Sequence, residues 1–125
     1  MTTEAGKWCL TGGYMDRDET IAEGAAREVL EESGWKIRDL TLLTIRDDPQ
    51  RPKDKDRQNI VFVLFGQADT EVGAPDDESE EVRWFDLTDL PPRDQMAFDH
   101  ADSIELYLSY KAEDLTLPVF TTTVA

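Results

Sequence analysis

An α+β fold, with a mixed sheet sandwiched between helices, is what this chain predicts, and three observations carry the prediction. A segment from about Thr20 to Gly34 has helix caps at both ends. Two apolar runs, Leu40–Arg46 and Gln58–Gln67, read as strands, and a second amphipathic stretch runs from about Asp99 to Lys111. The order strand, helix, strands, helix suits helices packed on a sheet. With 125 residues, the expectation is one domain over residues 1–125, built on one hydrophobic core.

Taken in order, Lys7 to Leu10 is a short apolar strand running into Gly12 and Gly13, where glycine lets the backbone turn sharply and approach a ligand. Thr20 followed by Glu23 forms a capping-box pattern, and Gly34 stands where a left-handed cap would close the helix. Ile21, Ala25 and Val29, with Ala22, Ala26 and Leu30, give that helix an apolar side to bury. Glu23 with Arg27, and Arg27 with Glu31, are opposite charges one turn apart. Leu40–Arg46 is a strand, and Asp47 to Asp56 is a polar loop with Pro49 and Pro52. The core IVFVLF of Gln58–Gln67 predicts a central strand buried on both faces. Ala68 to Ser79 is an acidic loop, and Glu81 to Phe85 a further short strand. A turn from Asp86 and Leu87 to Pro91 and Pro92 then leads to the second helix, whose apolar face carries Ala101, Ile104, Tyr107 and Leu108. The tail, Leu115 to Val124, is rich in β-branched residues and could pair as a strand.

Charge narrows the function. A net charge of −15 argues against a nucleic-acid polymer or an anionic membrane as partner, because both contacts rest on basic surface. It also makes a phosphate substrate hard to hold without a metal ion. The single cysteine, Cys9, cannot form an internal disulfide, and no charged start followed by a long apolar segment precedes it, so a cytoplasmic protein is expected. Cys9 lies in the apolar run Trp8–Leu10 with no local histidine or basic pair to lower its pKa, which makes it a packing residue. No stretch reaches the roughly 18 apolar residues that a membrane span requires.

The first helix carries the chemistry. Glu28, Glu31 and Glu32 fall at i, i+3 and i+4, so one face bears three acids. Like charges at this spacing cost roughly 0.2 to 0.5 kcal/mol per pair, which a divalent cation or a basic partner would offset. A hard cation such as Mg²⁺ prefers oxygen ligands and bridges carboxylates to a substrate phosphate. On charge alone the plain alternative, a solvated acidic face, is the commoner case.

The spacing adds to this. The stretch resembles the Nudix box, G-x5-E-x7-R-E-U-x-E-E-x-G-U with U a bulky apolar residue. Gly13, Glu19, Arg27, Glu28, Val29, Glu31, Glu32, Gly34 and Trp35 stand in register with it. Trp35 is aromatic where the family usually has an aliphatic residue, and Thr11 stands where proline commonly precedes the two glycines. Neither departure removes a metal ligand. The resemblance implies a Nudix-like α/β/α sandwich, whose N-terminal strands are here abbreviated. The short start leaves sheet edge or apolar surface that a second copy could cover, so a homodimer is expected.

It also implies hydrolysis of a diphosphate linkage in a nucleoside diphosphate derivative, with Mg²⁺, or Mn²⁺, as cofactor. By position in the motif, Glu28 and Glu32 are the expected metal ligands, Glu31 shares metal or base duty, and the backbone carbonyl of Gly12 completes the site. Arg27 and Glu19 are expected to form a structural pair orienting the helix. A further acid from a later loop often joins the family's site, and Glu78 is the candidate, with Asp77 and Glu80 as rivals. Arg46 and Arg57 are candidates for gripping phosphate, since guanidinium can do so bidentately, whereas the interleaved aspartates leave Lys53 and Lys55 as solvated loop residues. Trp8 could stack on a base, although core packing is the commoner use, and His100 is expected to cap or pack. Pro49, about fifteen residues past the box, resembles the ADP-ribose subgroup. A nucleoside triphosphate sanitising enzyme, a non-catalytic nucleotide sensor and an acidic interaction module are the alternatives.

Overall fold

Thr20 starts the first helix in the way its side chain allows. Its hydroxyl accepts the Glu23 N–H while the Glu23 carboxylate accepts the Thr20 N–H, both at 3.1 Å, which satisfies donors that a helix start leaves open. At the other end Gly34 adopts φ 78°, ψ 9° and its N–H returns to the Leu30 carbonyl. The computed structural model describes residues 7–47, 59–74 and 81–119. Within them lie α1 (Ile21–Ser33), β1 (Trp35–Arg46), β2 (Val61–Glu71), a 3-10 turn over Arg93–Gln95 and α2 (His100–Glu113), which is the expected α+β class.

Strand β1 begins directly after the glycine cap, five residues earlier than its apolar run suggests. Inward and outward residues alternate from Trp35 to Arg38, and the alternation then slips by one at Asp39. Asp39 has φ 56°, a left-handed conformation that aspartate tolerates better than most residues. Strand β2 pairs with β1 and runs on to Glu71, past Ala68, where the acidic loop is expected to start. The cause is the pairing: the Val72 and Gly73 N–H groups donate to the Gly34 carbonyl at 2.8 and 3.2 Å, so the end of β2 lies against the start of β1 in an antiparallel ladder.

The chain divides into two compact units, 1–40 with 66–97 and 41–65 with 98–125. In the first, the expected strand at Lys7–Leu10 reduces to a parallel bridge between Trp8 and Met96. Trp8 donates its N–H to the Gln95 carbonyl and accepts from the Ala97 N–H, at 2.8 and 2.7 Å. Met96 and Ala97 are buried there. Glu81–Phe85, expected as a strand, is held instead by aromatic edges: Phe85 meets Trp8 at 4.8 Å between ring centroids and Trp84 meets Trp35 at 5.3 Å, both edge to face. The expected turn follows, where the Asp86 carboxylate accepts the Thr88 N–H and hydroxyl. Those bonds hold the Asp86 pKa below its usual range.

In the second unit Leu43 and Thr44 are the most buried side chains. The Leu43 carbonyl accepts the Val119 N–H at 2.7 Å and the Thr44 hydroxyl donates to the Val119 carbonyl, so the described part of the tail lies beside β1. Helix α2 meets β2 through Phe65, which packs on Tyr107 and Tyr110 at 5.1 and 5.4 Å. Strand β2 is half-buried rather than buried on both faces, with Phe62 exposed. No described helix is long and apolar enough to cross a membrane.

Candidate active site

The turn that leads into α1 is built from its own acids. Asp18 takes φ 68°, and the Asp16 N–H donates to Glu19 Oε1 at 2.7 Å, which points the Glu19 carboxylate back toward the helix. Arg27, two turns into α1, meets it with a fork: Nε donates to Oε2 at 3.1 Å and NH2 to Oε1 at 2.9 Å. This bidentate pair is the expected structural pair. The Arg27 guanidinium and the Asp16 N–H hold Glu19 below the usual carboxylate pKa, and the same pairing raises that of Arg27.

The three acids of the helix face have separate surroundings. Glu32 is buried, at 9% exposure, and its Oε2 accepts the Gly12 N–H at 2.9 Å. Glu28, with its side chain 16% exposed, lies so close to Gly13 that a β-carbon there would stand 2.5–2.7 Å from its carboxyl atoms. Only glycine admits that approach. Glu31 is the outermost, its side chain 51% exposed. Glu32 and Glu28 thus meet the glycine turn at Gly12 and Gly13, and Glu31 is tied to Glu28 through Arg27. Arg27 NH1 donates to both Glu28 Oε1 and Glu31 Oε2, at 3.0 and 3.1 Å.

Two further partners of Arg27 escaped sequence reading. Its NH2 also donates to the Tyr14 carbonyl at 3.1 Å, and Asp16 Oδ2 lies 3.2 Å from its Nε. A backbone acceptor thirteen residues away carries no signature in side-chain types. The expected pair between Glu23 and Arg27 is replaced, because Glu23 serves the helix cap.

Of the remaining candidates, some belong to the second unit or to other parts of the first, and some lie outside the described residues. Arg46 ends β1 in the second unit, where its Nε donates to Ser103 Oγ at 3.0 Å. Arg57 and Glu78, with Asp77 and Glu80, lie outside the described residues. Trp8 packs on Phe85, and the Arg83 guanidinium sits over its ring at 5.3 Å, a packing role. These two residues line one wall of a cleft of about 380 Å³ that also involves Leu90, Pro91 and Gln95. Burial pushes the Cys9 thiol up, and the negative charge of Glu32 adds to the shift, which favours the thiol over the thiolate. His100 opens α2 beside the Phe98 ring.

The donor set fits a hard divalent cation in its chemistry: carboxylates from Glu28, Glu31 and Glu32 and a backbone carbonyl at a turn kept free of side chains by Gly13. Among the described residues no three such side chains already converge on one point, since Glu28 and Glu31 are turned to Arg27 and Glu32 to Gly12. An ion would therefore be met by rotation of side chains rather than by a preformed cage.

Residues 1–107 match the family model described as NUDIX domain. Among curated proteins the chain is 35% identical over 106 residues to an ADP-ribose pyrophosphatase of Methanocaldococcus jannaschii, covering 85% of this chain and 60% of that one. It is 34% identical over 99 residues to an oxidized purine nucleoside triphosphate hydrolase of Danio rerio, covering 70% and 54%. With an NAD-capped RNA hydrolase of Salmonella paratyphi C it shares 29% identity over 83 residues, or 66% and 30%. The matched part of each relative is thus three fifths of its length or less.

Proposed function

Since the chain belongs to the NUDIX domain family, we propose that it is a metal-dependent hydrolase that cleaves the diphosphate linkage of a nucleoside diphosphate derivative, with an ADP-ribose-like compound preferred. The observation that carries this reading is the setting of Glu28 and Glu32 against the glycine turn, one packed on Gly13 and the other accepting the Gly12 N–H. That turn is where a pyrophosphate can approach backbone closely. Glu28 and Glu32, with the Gly12 carbonyl and a share from Glu31, would hold Mg²⁺ or Mn²⁺, which supplies polarisation of the phosphate oxygens and a more acidic bound water.

Glu31 is the most exposed of the three acids and has the freedom to accept the proton of the attacking water as the bridging phosphorus–oxygen bond breaks. Glu32 and Glu78 complete the proposed catalytic acids, and Arg46 and Arg57 are the proposed phosphate grips. The name of the Methanocaldococcus relative supports the ADP-ribose choice, and that of the Danio relative supports a second reading, a purine nucleoside triphosphate. A cytoplasmic homodimer completes the proposal: Ile60 and Phe62 leave apolar surface exposed that a second copy would cover, and sedimentation at micromolar concentration reads the mass.

Incubation with Mg²⁺ and a panel of ADP-ribose, dinucleoside polyphosphates and nucleoside triphosphates tests the activity. AMP and ribose 5-phosphate from ADP-ribose are expected, and Glu32→Gln should abolish that turnover while the helical circular dichroism stays. Binding of nucleotide without turnover by the wild type, with either Mg²⁺ or Mn²⁺, would instead identify a sensor.

A further inference from the structure

A guanidinium has five N–H donors, and all five of Arg27 are engaged. Nε and one N–H of NH2 grip Glu19, the other N–H of NH2 takes the Tyr14 carbonyl, and NH1 divides between Glu28 Oε1 and Glu31 Oε2. Asp16 adds a fourth carboxylate at Nε. One positive charge thus serves four negative ones, and NH1 relieves the repulsion between Glu28 and Glu31 on neighbouring turns. The two NH1 bonds differ from the rest: they end on two of the three acids proposed to hold the metal.

We propose that Arg27 NH1 is the resting counter-ion of the metal site, holding Glu28 and Glu31 in the ion-free protein and releasing them when a divalent cation binds. This rests on the reading of the site as a metal centre. Arg27 itself stays in place on release, because the Glu19 fork and the Tyr14 carbonyl do not involve NH1. Arg27 is then a positioning residue that competes with the ion for its ligands and keeps the ion exchangeable. A purely structural arginine makes the opposite prediction, that its loss disorders the ligands and weakens metal binding.

Titration of the substrate-free protein with Mn²⁺, followed by the electron paramagnetic resonance of free Mn²⁺, separates the two. Arg27→Gln is expected to bind about threefold to tenfold more tightly than wild type, the scale set by two partly exposed ion pairs. Unchanged or weaker binding overturns the proposal. Nitrogen-15 spectra of arginine side chains in the wild type supply a readout that does not depend on the variant folding. Mg²⁺ should shift the Arg27 NH1 signal and leave Nε in place, and an NH1 signal unmoved at saturation overturns the proposal while the metal site survives. Calorimetry showing no Mg²⁺ or Mn²⁺ binding at all would remove the metal reading and this proposal with it.

Discussion

Replacing Gly13 by alanine separates the fold from the chemistry more sharply than removing an acid does. A β-carbon at this position would stand 2.5 Å from Glu28 Oε1, against 3.4 Å for the near edge of ordinary contact, so the carboxylate has to move by about 1 Å. What gives way is the end of a flexible side chain, and Gly13 has no positive φ to oppose an alanine. Stability should therefore change by less than about 1 kcal/mol. The added methyl would also occupy the space through which Glu28 turns to meet an ion, and misplacement of a ligating group by about 1 Å costs about a hundredfold in rate. Initial rates of Mg²⁺-dependent hydrolysis with substrate varied, beside thermal unfolding followed by circular dichroism, read both quantities. Gly73→Ala is the control, since nothing lies within 4 Å of its would-be β-carbon. A Gly13→Ala protein that keeps kcat/KM within threefold of wild type would refute the placing of Glu28 as a ligand against the turn. Loss of activity together with loss of helix would refute the claim that only the carboxylate moves.

Other consequences reach the rest of the molecule. Leu43→Ala should lower unfolding stability by about 2–5 kcal/mol, because Leu43 is 1% exposed; a urea titration giving less than about 1 kcal/mol would contradict its place in the core. Gly34→Ala should cost at least about 1–2 kcal/mol from the left-handed backbone alone, with the Gly73 carbonyl crowding the new methyl as well, and an unchanged melting temperature would argue against the cap as described. The acid limb of stability tests the Arg27 fork. Because Arg27, and then the Asp16 N–H, hold Glu19 below its usual pKa, its contribution is complete above about pH 4.3 and is lost as pH falls through the lowered value. Glu19→Gln should flatten the decline of denaturation midpoint below that pH, whereas a decline identical to wild type would show that Glu19 does not titrate as a paired acid.

Local chemistry decides how much of this was legible beforehand. Thr20, Glu23 and Gly34 mark the ends of α1 because capping acts between residues within one turn, and Glu28, Glu31 and Glu32 share a face because helix geometry alone puts them there. The Glu19–Arg27 pair was legible for a different reason, the register of the whole motif. Strand limits were less so. The start of β1 was hidden by Asp39, whose left-handed backbone breaks the alternation that marks a strand, and the end of β2 by a polar stretch that is ordered through pairing rather than through its own composition. The short strands expected at Lys7–Leu10 and Glu81–Phe85 have the right residues but lack a ladder, one reduced to the Trp8–Met96 bridge and the other to aromatic contacts.

By itself, then, the order of residues settled the helix, its caps and the kind of atoms offered to a cation, all of which depend on neighbours a few positions away. Only the folded chain decided that Glu32 would take the Gly12 N–H twenty residues off, that Gly13 would lie under Glu28, and that Arg27 would gather Asp16 and the Tyr14 carbonyl with its glutamates. Those contacts depend on the path by which the turn returns to the helix, and a path is set by packing and backbone pairing across the chain rather than by the preferences of any one stretch.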